Sequence, residues 1–366
     1  MKNTKKIAIV TDYLNVFGGA ERMLLGIMEA FPDATIFTSF YREETMLKYF
    51  SQFRVVESKY SYFFKRFGKF STILYPIAFE SFNFEDFDIV ISLSSAFAKC
   101  IIVPENVVHI AYILTPPRFL YNMNTATQDK FKKLKIPFLV LNNFLRLKDF
   151  EGINRADFVL SISLEVQKRV KKFYRRESTV IYPFVDTNLF NADKTFKEED
   201  YFLVVSRLEK YKNIEMAIRA CIKANVKLKI IGDGSFKKSL LKISDSGYID
   251  FVGNVDDLSL IKYIKQSIAL IFPTNEDFGL TPIEALACGK SVIALNKGGV
   301  KETVINKKTG LFFDGERELI EILRNFNSKD FDAINCRENA LQFSKDKFLE
   351  NLREYVLDKT YKDHVV

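Results

Sequence analysis

Histidine is nearly absent: His109 and His364 are the only two in 366 residues. A histidine cluster for a metal cannot be built from them, and a histidine-based nucleophilic triad has little to draw on. Cysteine is scarce too. Cys100, Cys221, Cys288 and Cys336 lie far apart with no paired spacing, which argues against a zinc site or a disulfide framework and fits a reducing, cytoplasmic setting. No apolar run approaches the roughly 18 residues of a membrane-spanning helix, so any membrane attachment is expected to be peripheral. Lys2, Lys5 and Lys6 precede Ile7-Ala8-Ile9-Val10, but Thr11 and Asp12 end that run too early for a signal peptide, and it reads as a first strand.

What is present is ample apolar material: 48% of the chain is hydrophobic, and the length suggests two domains of roughly 100–200 residues each. The formal charge of +8 is compatible with nucleic acid, a membrane surface or an anionic small molecule. Its distribution narrows the choice. Lys59, Lys65, Arg66 and Lys69 are interleaved with Tyr60, Tyr62, Phe63, Phe64, Phe67 and Phe70 without an acidic residue, and from Lys130 to Lys148 six basic residues and no acid accompany Phe131, Phe138, Phe144 and several leucines. Such a mixture suits segments lying on an anionic bilayer surface, here the inner face of the cell membrane, rather than nucleic acid. The alternative is two ordinary helices with apolar faces in the core and solvated lysines.

Both halves alternate strands with helical patterns. Strands are expected at Ile7–Thr11, Thr35–Thr38, Ile89–Leu93, Val107–Tyr112 and Asp157–Ile162, then at Tyr201–Val205, Lys227–Ile231, Ile249–Val252, Ala269–Phe272, Ser291–Ala294 and Leu311–Phe313. Alternation of this kind implies parallel sheets covered by helices on both faces, an α/β architecture of two Rossmann-like domains. Tyr182–Asp200 reads as the linker, dividing the chain into residues 1–185 and 186–366, with the last helix, Lys345–Lys359, able to pack on either half. The two domains are expected to face each other across a ligand-binding cleft.

Three places could carry chemistry. Gly18 and Gly19 open the first helix directly after the first strand. They could present backbone amides to a phosphate or sugar-phosphate, or could simply make a strand-to-helix turn. Arg207 and Lys212 flank the carboxyl end of the first strand of the second half, where a forked guanidinium and a compact ammonium match a diphosphate leaving group. Glu276 and Glu284 stand with seven residues between them, across a predicted loop-to-helix junction at a strand's carboxyl end. Gly279 beside Glu276 can expose amides to a hydroxyl-rich ring, whereas Thr281-Pro282-Ile283-Glu284 also reads as a capping box. Other patterns fall away. Asp86-Phe87-Asp88 precedes its strand and reads as a solvated entry, Gly232-Asp233-Gly234 lacks the third glycine of a dinucleotide site, and Gly298-Gly299 is either a phosphate-facing turn or a tight connection.

Together these segments resemble a retaining glycosyltransferase of family 4 with the GT-B architecture. Gly18-Gly19, Val180-Ile181-Tyr182-Pro183-Phe184-Val185-Asp186-Thr187, Ser206-Arg207-Leu208 with Lys212, and Glu276 through Gly289 match that family's pattern in order. The resemblance implies that Arg207 and Lys212 stabilise the departing diphosphate and that Glu276 binds sugar hydroxyls near the reacting carbon. It also implies that Gly18, Gly19, Gly279, Leu280 and Thr281 contribute to donor binding and that Glu284 holds the nucleotide ribose. The donor would be a nucleotide diphosphate sugar, with no metal or other cofactor required. Tyr112 through Leu120 resembles the tract of a subgroup with mannosyltransferases of bacterial surface polysaccharides, which places Thr115 and Arg118 on the acceptor side. In that subgroup a histidine precedes Thr-Pro, and here Leu114 stands there. Leucine offers no side-chain donor or acceptor, so the sugar differs, another group substitutes or activity is weak. The implied function is hexose transfer to a lipid-linked or glycan acceptor in bacterial envelope synthesis. The alternatives are a catalytically silent nucleotide-sugar-binding partner of a glycosyltransferase complex and a nucleotide-sugar epimerase of the same fold.

Overall fold

The structure is a computed structural model and describes residues 5–121, 135–193, 196–244 and 247–362. The chain separates into two compact units, Met1–Tyr182 with Phe348–Val366, and Pro183–Lys347. Each is built on its own all-parallel sheet.

The first unit carries β1 (Ile7–Thr11), β2 (Thr35–Thr38), β3 (Val55–Glu57), β4 (Ile89–Ser94), β5 (Val108–Ile113), β6 (Phe158–Ser161) and β7 (Thr179–Val180), in the spatial order β3-β2-β1-β4-β5-β6-β7. Strands covered on both faces need apolar residues at consecutive positions, and Ala8, Ile9 and Val10 of β1 and Val90 and Ile91 of β4 are completely buried. Register places Ile9 between Ile36 and Ile91. The helices used below are α1 (Gly19–Ala30), α2 (Glu43–Phe50), α3 (Ser61–Phe67), α4 (Tyr75–Glu80), α5 (Lys135–Asn154) and α6 (Leu164–Tyr174).

The second unit repeats the scheme with β8 (Phe202–Val205), β9 (Leu228–Ile231), β10 (Ile249–Gly253), β11 (Leu270–Phe272), β12 (Val292–Leu295) and β13 (Gly310–Phe313), ordered β10-β9-β8-β11-β12-β13. Its core gathers Phe202, Val204, Ile230 and Ile271 from the sheet with Ile214, Ala217 and Ile218 of α7 (Ile214–Ala224). Further helices include α8 (Leu280–Ala287), α9 (Ala333–Leu341) and α10 (Lys345–Lys362).

In a doubly wound sheet the strand order reverses at one place, and the loops leaving the carboxyl ends of the two strands there diverge to leave a crevice. The reversal lies between β1 and β4 in the first unit and between β8 and β11 in the second. Residues at those four strand ends therefore border the two crevices.

The division falls after Tyr182, three residues before the expected boundary, and from Phe348 onward the last helix belongs to the first unit, one of the two packings the sequence leaves open. Arg353 of α10 donates to the carbonyls of Glu29 and Ala30, capping orphan acceptors at the end of α1, which ties the last helix to the first unit. The segment after Tyr182 is held rather than loose, because Arg337 of α9 donates to the carbonyls of Thr187, Phe190 and Ala287.

Candidate active site

In the second unit β8 runs out into Ser206-Arg207-Leu208. This loop is clamped by its neighbour after β9: the Leu208 amide donates to the Asp233 carbonyl at 2.9 Å and the Phe236 amide to the Leu208 carbonyl at 2.8 Å. The approach is so close that a Cβ at Gly232 would overlap the Ser206 carbonyl oxygen, and one at Gly234 the Leu208 carbonyl. Gly232-Asp233-Gly234 thus acts as a support for the Arg207 loop. Leu208 is fully buried, whereas Arg207 is exposed, and its guanidinium donates to the Tyr211 hydroxyl at 3.2 Å.

A single turn, Lys210–Lys212, then leads through Asn213 in the left-handed region (φ 57°) into α7. That turn folds Lys212 inward until it is 8% exposed. Its ammonium makes an ion pair with Glu276 Oε1, and Asn213 Nδ2 donates to the Pro273 carbonyl at 3.2 Å. Loops from β8 and β11 are thereby joined across the reversal point by a charge-assisted bond.

The Glu276 loop rests on the turn after β12. The Gly299 amide donates to the Glu276 carbonyl at 2.9 Å, and Cβ atoms at Gly298 (φ +80°) and Gly299 would overlap the Glu276 and Asp277 backbone. Gly298-Gly299 thus makes a tight connection beneath the Glu276 loop. Phe278 is buried with its ring 5.6 Å from that of Phe343.

The capping box is not formed. The helix begins at Leu280, one residue earlier than Thr281, with Gly279 as its N-cap and no side-chain cap bond. Gly279 has φ +92°, and a Cβ there would lie 2.9 Å from the Phe272 ring, so glycine makes the turn that a capping threonine would otherwise make. Pro282 then sits within the first turn, where a missing N–H is tolerated. Thr281 is half-buried on that turn and Glu284 is 6% exposed.

The first unit has a parallel construction. Asp12, just past β1, sends its carboxylate across the reversal to the loop after β4. Oδ1 accepts from the amides of Phe97 and Ala98, and Oδ2 from the amides of Ser95 and Ala96 and the Ser95 hydroxyl, at 2.6–3.0 Å. Consecutive amides converging on one anion form a nest. Asp12 therefore fixes the start of the loop that leads to Gly18 and Gly19, which begin α1. One residue beyond the nest, fully buried Lys99 pairs with Asp149 of α5, whose other oxygen accepts from Tyr121 and Tyr174 at 2.8 Å each. Sequence reading missed both networks. The only available signal was an acidic residue directly following an apolar strand.

The remaining candidates are placed as follows. Thr115 and Arg118 lie just past β5 and are half-buried. His109, inside β5, is completely buried, with Nε2 2.8 Å from the Ser92 hydroxyl. Burial first, and the charge of Arg176 second, lower its pKa to about 3. Asp88 accepts from the Lys6 amide at 2.7 Å, a strand-entry role. Burial pushes the thiols of Cys100, Cys288 and Cys336 up to about 12, so these are inert packing residues rather than nucleophiles. Among the described residues no group of three His, Cys, Asp or Glu is placed to hold a metal, and no helix is long and apolar enough to cross a membrane. Of the second basic stretch, residues 130–134 lie outside the described residues.

Comparison with known proteins bears on the fold. The architecture is GT-B: over 96% of this chain and 100% of the other, the structure superposes on Anabaena HepE solved with UDP and glucose, with a TM-score of 0.73 and 17% identity. Residues 185–343, nearly all of the second unit, match the family model for Glycosyl transferases group 1. Among curated relatives, an uncharacterized glycosyltransferase of Methanocaldococcus jannaschii is 24% identical over 230 residues, 59% of this chain and 64% of that protein. The alpha-1,3/1,6-mannosyltransferase ALG2 of Candida glabrata is 28% identical over 222 residues, 47% of this chain and 48% of its own length. The matched stretches thus span between about half and two thirds of these relatives.

Proposed function

We propose that the protein is a retaining glycosyltransferase of the family 4 type that moves a hexose from a nucleotide diphosphate sugar to a hydroxyl of a lipid-linked or glycan acceptor. The observation that carries this reading is the Lys212–Glu276 pair at the β8/β11 reversal, with Arg207 on the adjoining loop. It sets cation and carboxylate side by side where a doubly wound sheet takes its ligand. The relatives named as mannosyltransferases support a hexose such as mannose as the transferred group.

In this mechanism Arg207 and Lys212 bind the diphosphate and stabilise the negative charge that grows on its leaving oxygen as the glycosidic C–O bond breaks. Glu276, oriented by Lys212, accepts hydrogen bonds from the sugar hydroxyls next to the reacting carbon. Backbone groups of Gly279, Leu280 and Thr281 add donor contacts, and Glu284 holds the ribose. In the first unit, Gly18 and Gly19 are assigned to donor binding and Thr115 and Arg118 to the acceptor. The acceptor hydroxyl attacks the oxocarbenium-like carbon from the face the phosphate leaves. Its proton passes to the leaving phosphate oxygen, so configuration is retained without a protein base. No residue in this scheme calls for a metal or other cofactor. We place the enzyme in envelope polysaccharide synthesis at the inner face of the cell membrane.

The test is a panel of nucleotide diphosphate sugars incubated with native lipid extract, with products read by mass spectrometry and the new anomeric bond by NMR. One donor consumed with retention is expected. Inversion would remove the mechanism, and silence with every donor would favour the nucleotide-sugar-binding partner that Leu114 suggests.

A further inference from the structure

An amphipathic surface helix ordinarily turns its apolar side chains inward, and α3 does this with only one of its aromatics. Phe64 is 1% exposed, while Tyr62, Phe63 and Phe67 are 67%, 45% and 51% exposed, and Ile73 and Ile77 just beyond are 44% and 41% exposed. Phe63 stacks on Phe67 with ring centroids 6.2 Å apart, and Tyr62 meets the edge of Phe63 at 6.0 Å. The exposed rings therefore form one surface. Clustered apolar exposure of this kind marks an interaction site.

Along the segment itself the charge has one sign. Between Ser58 and Phe79 the chain has four basic residues, Lys59, Lys65, Arg66 and Lys69, and no acid. Lys65 pairs with Glu57 at 2.8 Å, while Lys59 and Arg66 are exposed.

The inward side locates this surface in the fold. Phe64 packs in a small cluster of its own with Phe40 and Ala78. Ring contacts run from Tyr13 to Phe40 (5.7 Å), Phe40 to Phe64 (6.2 Å), Phe64 to Tyr75 (4.3 Å) and Tyr75 to Phe97 (6.2 Å). Tyr13 follows β1, Phe40 follows β2 and Phe97 follows β4. The segment is thus rooted at the carboxyl end of the first sheet, the end that also carries Gly18, Gly19 and Thr115.

We propose that Tyr62, Phe63, Phe67, Ile73 and Ile77, flanked by Lys59 and Arg66, form the docking face for an anionic lipid bilayer, from which the first unit reaches an acceptor carried on a lipid. Aromatic rings settle at the headgroup level while cations attract anionic headgroups. A second copy of the chain is disfavoured, because a two-fold contact through this face would bring the exposed Lys59 and Arg66 of both copies together, and the stretch from Ser58 to Phe79 supplies no acid to pair with them. The acceptor clause rests on the function proposed above; the docking face does not.

Flotation of the full chain with vesicles tests the face directly. Wild type is expected to float with mixed phosphatidylglycerol and phosphatidylcholine and only weakly with phosphatidylcholine alone. Combined Tyr62→Ser, Phe63→Ser and Phe67→Ser should weaken partitioning at least about tenfold, from the apolar area no longer buried. Combined Lys59→Gln and Arg66→Gln should weaken it about fivefold per charge, on anionic vesicles only. All five side chains are exposed, so melting temperatures should stay within a few degrees of wild type. The proposal is overturned if wild type ignores anionic vesicles, or if the aromatic variant floats as wild type does. It is also overturned if light scattering shows a dimer that the aromatic substitutions dissolve while vesicle binding is absent. Calorimetric titration of the same proteins with nucleoside diphosphates keeps the two readings apart: flotation without nucleotide binding in wild type would sink the transferase reading and leave the docking face supported.

Discussion

Replacing Lys212 by methionine separates two roles that the Lys212–Glu276 pair could have. The ammonium is nearly buried, and the Glu276 side chain keeps 25% of its exposure. Removing the cation strands a carboxylate that water still reaches, so the loss of stability should fall below the 3–5 kcal/mol of a fully buried pair, at about 1–2 kcal/mol. Adding Glu276→Gln removes the stranded charge and should recover most of that loss. Activity should behave differently. If Lys212 stabilises the departing diphosphate, losing it should slow turnover about 100- to 1,000-fold, as loss of one preorganised charge-stabilising group does. The second substitution should restore none of this, because it removes a sugar ligand as well. Denaturant melts and nucleoside diphosphate release, measured on wild type, both single variants and the double variant, give the complete cycle. Recovery of turnover together with stability in the double variant would refute the catalytic assignment and leave the pair as a loop fastener.

Two further predictions follow from neighbouring observations. Gly298→Ala puts a Cβ into the Glu276 backbone at a positive φ, so it should destabilise the protein by about 2–4 kcal/mol and lower kcat by displacing Glu276, with denaturant melts and steady-state kinetics as the readouts; unchanged kcat would mean that the support does not set the loop. His109 is buried neutral with its pKa lowered to about 3. An unfolded chain binds a proton there below about pH 6.5, so this contribution is intact above that value and is lost as pH falls toward 3. Between pH 6.5 and 4.5 the loss should be about 2 kcal/mol, and His109→Gln should flatten that part of the stability profile. An unchanged slope in the variant would show that other groups control it.

The inner strands were legible because strands buried on both faces are rich in apolar residues, and β1 and β2 begin and end where Ile7–Thr11 and Thr35–Thr38 do. The short outer strands were not. Val55–Glu57 and Thr179–Val180 have only three and two residues, partly exposed, and no periodicity can be read from so few. Lys212 and Glu276 are 64 positions apart, yet each was found because it follows an apolar strand; their direct contact depends on β8 and β11 lying side by side, which strand order decides. Gly279 was recognised as a loop glycine, but its positive φ was not, and the Thr-Pro-Ile-Glu sequence imitated a capping box that the backbone does not form. Asp12 was hidden for a different reason. Its five donors come from residues more than 80 positions away, and no local pattern distinguishes it from any polar strand end.

The proposed function requires that the β8/β11 reversal hold a nucleotide diphosphate sugar and release its diphosphate. Nucleoside diphosphate release from the preferred donor, compared between wild type and Arg207→Ala and Glu276→Ala, tests it most directly. Release by wild type, reduced about 100-fold or more in each folded variant, is the expected result. Release that persists at the wild-type rate in both variants would contradict the account.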